Sequence, residues 1–117
     1  MKEFINYLIL AIDYAPGGTL ADLIKLSKKT NQLISEEKCR VIMRSLLNGL
    51  NHIQTQMDLV HRDLKPSNIV IDRLSDLESI KIVDFGLAVS IKSRSELMST
   101  AGTLIYQAPE QIFKNAR

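Results

Sequence analysis

An α+β fold, mostly helical, is what this 117-residue sequence predicts, and three features predict it. Residues 36–57 repeat apolar side chains every three or four positions, the spacing of one helix face. Residues 69–71 and 80–83 are short segments rich in β-branched side chains and bounded by polar turns, as strands are. Residues 7–12 form an unbroken apolar run that closes on Asp13 and the turn Pro16-Gly17-Gly18, which suits a short buried strand.

Past that turn, Thr19 can cap a short helix that carries Leu20, Leu23 and Ile24 on one face. Residues 28–32 are polar and read as a loop. Ser35 caps the long helix, with Glu36 and Glu37 placed favourably in its first turn. Cys39, Ile42, Met43, Leu46, Leu50, Ile53 and Met57 are expected on its buried face, Cys39 as a small apolar filler. Residues 90–103, rich in Ser, Thr, Lys and Arg, read as a mobile surface loop. No internal repeat or composition shift marks a second domain.

Composition narrows the function classes. With 45% hydrophobic and 24% charged residues the chain is neither disordered nor fibrous. A net charge of +2 is too balanced to argue for nucleic acid or an anionic membrane, and neither is expected as a partner. The lone Cys39 excludes an internal disulfide and a multi-cysteine zinc site, and it fits a reducing, cytoplasmic setting. No apolar run approaches the roughly 20 residues of a membrane-spanning helix.

Three motifs carry the chemistry. The first is His61-Arg62-Asp63-Leu64-Lys65-Pro66-Ser67-Asn68. Asp84-Phe85-Gly86 follows, and then Gly102-Thr103-Leu104-Ile105-Tyr106-Gln107-Ala108-Pro109-Glu110. Taken singly, Asp63 or Asp84 reads as an exposed carboxylate; the ordered set does not arise by chance. It resembles the catalytic domain of eukaryotic serine/threonine protein kinases.

The resemblance implies ATP- and Mg2+-dependent phosphorylation of protein Ser or Thr. It implies that Asp63 receives the attacking hydroxyl, that Lys65 offsets charge on the moving phosphate, and that Thr103 floors a shallow substrate site. Asn68 and Asp84 would hold the metal, Asp84 through a carboxylate and Asn68 through its amide oxygen. Residues 8–18 resemble the last small-lobe strand and the hinge, with Ile12 at the gatekeeper position. Backbone groups of Asp13 and Ala15 would then meet adenine, over a floor of Val70 and Leu20. By this likeness residues 1–18 are a small-lobe strand and hinge, and residues 19–117 the N-terminal part of a large lobe. Thr19 and Ser67 stand where kinases selecting arginine-rich peptides carry acids, so that preference is not expected. The resemblance also leaves Ser99, with Thr100 as runner-up, as the activating phosphorylation site, received by Arg62.

A Gly-rich phosphate-covering loop, a strand lysine and a helix glutamate precede the hinge in that family, and the sequence contains none of them. The chain is therefore expected to be a partial domain, inactive and marginally folded by itself. The rival reading is a catalytically silent fragment acting as an interaction module; a small ATP-binding protein ranks last. Protein substrate and regulator have no signature in the sequence.

Overall fold

The computed structural model describes residues 9–97, 99 and 101–113. Two helices come first, α1 (Leu20–Thr30) and α2 (Glu36–Gln56). The short strand β1 (Leu59–Val60) follows, then β2 (Ile69–Arg73), β3 (Asp76–Ile82) and β4 (Val89–Ser90). Single-turn helices α3 (Arg94–Leu97) and α4 (Pro109–Ile112) complete it.

Local chemistry sets the helix ends. Thr19 closes a capping box: its hydroxyl accepts from the Asp22 N–H, and the Asp22 carboxylate accepts from the Thr19 N–H, both at 3.1 Å. The Thr19 hydroxyl, which donates to the Asp22 carboxylate at 2.6 Å, and after it the Thr19 N–H hold that carboxyl below its usual range. Helix α1 runs on through residues 28–30, where their polarity suggests a loop. The reason is its C-terminus: Asn31 takes the left-handed conformation that ends a helix, and Lys28 and Lys29 suit the negative end of the helix dipole. Ser35 caps α2 as expected, accepting from the Lys38 N–H at 3.4 Å.

Strands β2 and β3 form an antiparallel hairpin that pairs Ile69 with Ile82 and Ile71 with Ile80. Helix α2 lies across β3, and Gly49 permits the approach: a Cβ there would stand 3.3 Å from Ile82 Cδ1. The core is Ile42 and Ile53 of α2, Ile69 and Ile71 of β2, and Val89 of β4. Only part of the expected helix face is covered. Cys39, Met43 and Met57 are exposed, because β1 and β3 cover a narrower stripe than the apolar spacing implies.

The strand expected over residues 7–12 is not formed where it is described. Residues 7 and 8 lie outside the described residues; Ile9 and Ile12 are each 88% exposed, in no regular structure. A strand needs a hydrogen-bonding neighbour, and none among the described residues pairs with this run. The turn beyond it is well anchored. The Gly17 N–H donates to the Ile71 carbonyl at 2.9 Å, and the Ile71 N–H to the Gly18 carbonyl at 2.8 Å. The described residues between 90 and 103 carry regular structure where a loop was expected. They begin in β4, which pairs with β1 (Val60 with Val89), and they contain α3. Among the described residues no helix is long and apolar enough to cross a membrane.

Candidate active site

The site is built where the loop after β1 meets the segment before α4. Asp63 is buried, and its carboxylate collects four donors. The Thr103 N–H and hydroxyl both end on Oδ1, at 2.8 and 2.7 Å. Oδ2 accepts from the Lys65 ammonium at 2.6 Å and from the Asn68 amide at 3.1 Å. The Asn68 amide also donates to the Asp63 carbonyl at 2.9 Å. Lys65 reaches Thr103 as well, at 3.0 Å, so two of the three side chains around Asp63 are linked to each other. Lys65 and then Thr103 hold the Asp63 carboxyl far below the usual carboxylate range.

The neighbours of Asp63 keep that loop in place. The Asp63 N–H donates to His61 Nδ1 at 3.3 Å, so Nδ1 carries no proton and His61 Nε2 donates to the Val83 carbonyl at 2.9 Å. The His61 ring also meets Phe85, centroids 5.0 Å apart at 60°. Arg62 adopts a positive φ of 66° and turns its guanidinium the other way. It donates to the Leu87 carbonyl at 2.7 Å, and to the Glu96 carbonyl and the Ser99 hydroxyl at 2.8 Å each. Thr100 lies outside the described residues. The segment of Thr103 closes against this loop because Gly102 has no side chain: a Cβ there would stand 2.2 Å from the Arg62 carbonyl oxygen.

Asp63, Lys65, Asn68 and Thr103 are thus brought together directly. Asp84 is tied in through backbone, since the Val83 N–H donates to the Asn68 carbonyl at 2.9 Å. Its carboxylate accepts from the Gly86 N–H at 3.3 Å, and its backbone has φ 64°. Val70 and Thr19 form an isolated bridge, which sets Leu20 at the end of β2; both Leu20 and Val70 are half-buried. Asp13 is exposed and meets Lys81 at 3.6 Å, and Ala15 accepts from the Gly18 N–H at 3.3 Å.

A family model described as protein kinase domain matches residues 2–117. This chain belongs to the protein kinase family. It is 40% identical over 108 residues to serine/threonine-protein kinase 17A of Oryctolagus cuniculus, an overlap of 92% of this chain and 26% of that protein. It is 37% identical over 108 residues to mitogen-activated protein kinase kinase SIPKK of Nicotiana tabacum, 92% of this chain and 28% of that protein. Mitogen-activated protein kinase kinase 3 of Arabidopsis thaliana is 36% identical over 104 residues, 88% of this chain and 19% of that protein. The chain therefore spans between 19% and 28% of the length of these relatives. Its helices and small antiparallel sheets are a partial kinase-like α+β fold, as the resemblance implies.

Two features of this candidate site carry no signal in the sequence. Gln107 donates through its side-chain amide to the Ala101 and Gly102 carbonyls, and a glutamine in a loop has no pattern that announces this. His61 reads as part of a motif, but its ring contacts with the Val83 carbonyl and the Phe85 ring, 22 and 24 residues away, are visible only in the folded chain.

Proposed function

We propose that this segment supplies the phosphoryl-transfer half of a kinase that modifies protein Ser or Thr with ATP and Mg2+. One observation carries the reading: a buried carboxylate, Asp63, collects Lys65, Asn68 and Thr103 from up to 40 residues away. A carboxylate has about four acceptor positions, and all are taken. A substrate hydroxyl therefore displaces one donor, and Lys65 is the donor best able to yield because it keeps its bond to Thr103. With its carboxyl held so far down, Asp63 orients the hydroxyl more than it removes the proton.

The donor set fits a magnesium ion. Asn68 commits its amide nitrogen to Asp63, which makes the amide oxygen its ligating atom, and Asp84 offers a carboxylate. Among the described residues no cluster of three or more His, Cys, Asp or Glu could hold a metal, and a magnesium shared with phosphates needs only one or two carboxylates. When bound, the ion would neutralise charge on the phosphates. Backbone groups of Asp13 and Ala15 would meet adenine, with Leu20 and Val70 as its floor.

The test is transfer from ATP to Ser, Thr and Tyr peptides, by the 117-residue chain alone and by the chain joined to a phosphate-covering lobe. The joined form is expected to phosphorylate Ser and Thr, with activity abolished by chelating the metal or by Asp84→Asn. No turnover is expected from the chain alone, because its sequence has no Gly-rich loop or strand lysine before the hinge. Exclusive tyrosine phosphorylation, or full turnover by Asp84→Asn, overturns the reading.

Ser99 is the proposed activating site. Its hydroxyl already touches Arg62, so a phosphate there meets a guanidinium whose loop is shared with Asp63. Phosphorylated Ser99 is expected to slow proteolysis of residues 90–103 about tenfold or more, since charge-assisted bonds contribute roughly 1.5–3 kcal/mol. Arg62→Ala should remove that gain; equal cleavage with and without the phosphate would refute the role.

A further inference from the structure

Among the described residues one buried side-chain polar atom lacks a hydrogen-bond partner, the amide oxygen Oε1 of Gln107. Its orientation is fixed by its neighbours. Gln107 Nε2 donates to the Ala101 carbonyl at 2.6 Å and to the Gly102 carbonyl at 3.2 Å. Turning the amide over would press Oε1 against two carbonyl oxygens. The side chain thus keeps two donor contacts and leaves its own oxygen unsatisfied, which is unfavourable for a buried acceptor. A methionine would fill similar space with no orphaned oxygen. What glutamine adds is the pair of N–H donors.

The two carbonyls it holds belong to the residues just before Thr103. Gly102 has φ +94° and no side chain to fix the peptide planes on either side of it. Beyond Thr103 the backbone makes one 3₁₀ turn, closed by the Tyr106 N–H on the Thr103 carbonyl at 2.9 Å and the Gln107 N–H on the Leu104 carbonyl at 3.1 Å. The Gln107 side chain then reaches back across that turn. The result is a closed loop with Thr103 inside it, and Gln107, Thr103 and Asp63 line one 240 Å³ cavity.

We infer that Gln107 is a positioning residue: its side-chain amide clamps residues 101 and 102 so that Thr103 presents its N–H and hydroxyl to Asp63. The inference rests on the reading of Asp63 as the residue that orients the substrate hydroxyl. The Thr103 N–H, 2.8 Å from a carboxylate oxygen, has a downfield proton resonance as its signature.

Amide NMR of the 117-residue chain tests it. Gln107→Met is expected to move the Thr103 amide upfield and speed its hydrogen exchange tenfold or more. The Ile71 amide, bonded to the Gly18 carbonyl, should be unaffected. Gln107→Arg restores N–H donors on a long side chain and is expected to keep the signature. A signature retained in Gln107→Met, or lost equally in Gln107→Arg, overturns the clamp. If Gln107→Met fails to fold, Gln107→Glu, which keeps the length and loses the donors, is read in the same way. If the signature behaves as expected while the joined form transfers no phosphate, the functional reading fails and the clamp stands.

Discussion

Asp63→Asn is expected to lower phosphoryl transfer by about 10²- to 10⁴-fold, the range over which a positioned acid or base acts. The change is small in shape and large in chemistry. The carboxylate accepts from Thr103 twice, from Lys65 and from Asn68. An asparagine amide offers one oxygen, and its nitrogen must face donors. With the amide nitrogen toward Lys65 and Asn68, the ammonium loses its counter-charge; with it toward Thr103, that segment is pushed away. Either way a substrate hydroxyl meets a disordered acceptor. The pH dependence has a definite sign. Because the Asp63 carboxyl is held below its unfolded value of 3.8, its contribution to stability is complete above the ordinary carboxylate range. It is lost progressively as pH falls from that range to the depressed folded value. Asp63 therefore stays ionised at any pH near neutrality, and Asp63→Asn should lower the plateau of the rate profile without moving its acid limb. Turnover within a few-fold of the parent would remove Asp63 from the mechanism.

Gly102→Ala is expected to detach Thr103 from Asp63 at a cost of about 3 kcal/mol, combining a left-handed backbone penalty with steric overlap. Its φ is +94°, and an added Cβ would lie 2.2 Å from the Arg62 carbonyl oxygen and 3.3 Å from the Arg62 carbonyl carbon. Backbone atoms cannot swing aside as a side-chain tip can. The cheaper response is local: the segment around Thr103 lifts off, so the observed loss is capped by the free energy of that opening. Hydrogen exchange at the Thr103 amide should rise steeply, and transfer by the joined form should fall as far as in Thr103→Ala. Gly86→Ala is the contrasting case. Its Cβ would meet only Asp84 Oδ1, at 3.2 Å, a side-chain atom that can move. Full Thr103 protection in Gly102→Ala would show that the approach to Arg62 is wrong.

Elements stabilised by neighbours in sequence were legible beforehand. Ser35 caps α2 where expected, and residues 69–71 and 80–83 lie in or beside the two strands of one hairpin. Two of the misreadings, over residues 9–12 and on the exposed face of α2, share one cause. Residues 9–12 are apolar enough for a strand, but strands exist only in pairs, and the described residues offer no partner. Met43 and Met57 follow the helical period, but burial depends on what lies opposite, and nothing among the described elements covers them. Residues 28–30 are polar, yet polarity at a helix C-terminus is compatible with the helix continuing to its cap at Asn31.

The sequence by itself determined the family and the order of Asp63, Lys65, Asn68, Asp84 and Thr103, because those residues sit in short motifs with fixed spacing. It determined the helix N-caps Thr19 and Ser35 as well, which are contacts over three residues. Tertiary structure alone decided that the Asp63 carboxylate is filled by four donors, that Arg62 reaches Ser99, 37 residues away, and that Gln107 clamps the segment before Thr103. The physical reason is that a hydrogen bond has a range of about 3 Å and a strict direction. Partners separated by 34 to 40 residues meet only after the backbone between them has closed, here through the tight approach of Gly102 to Arg62.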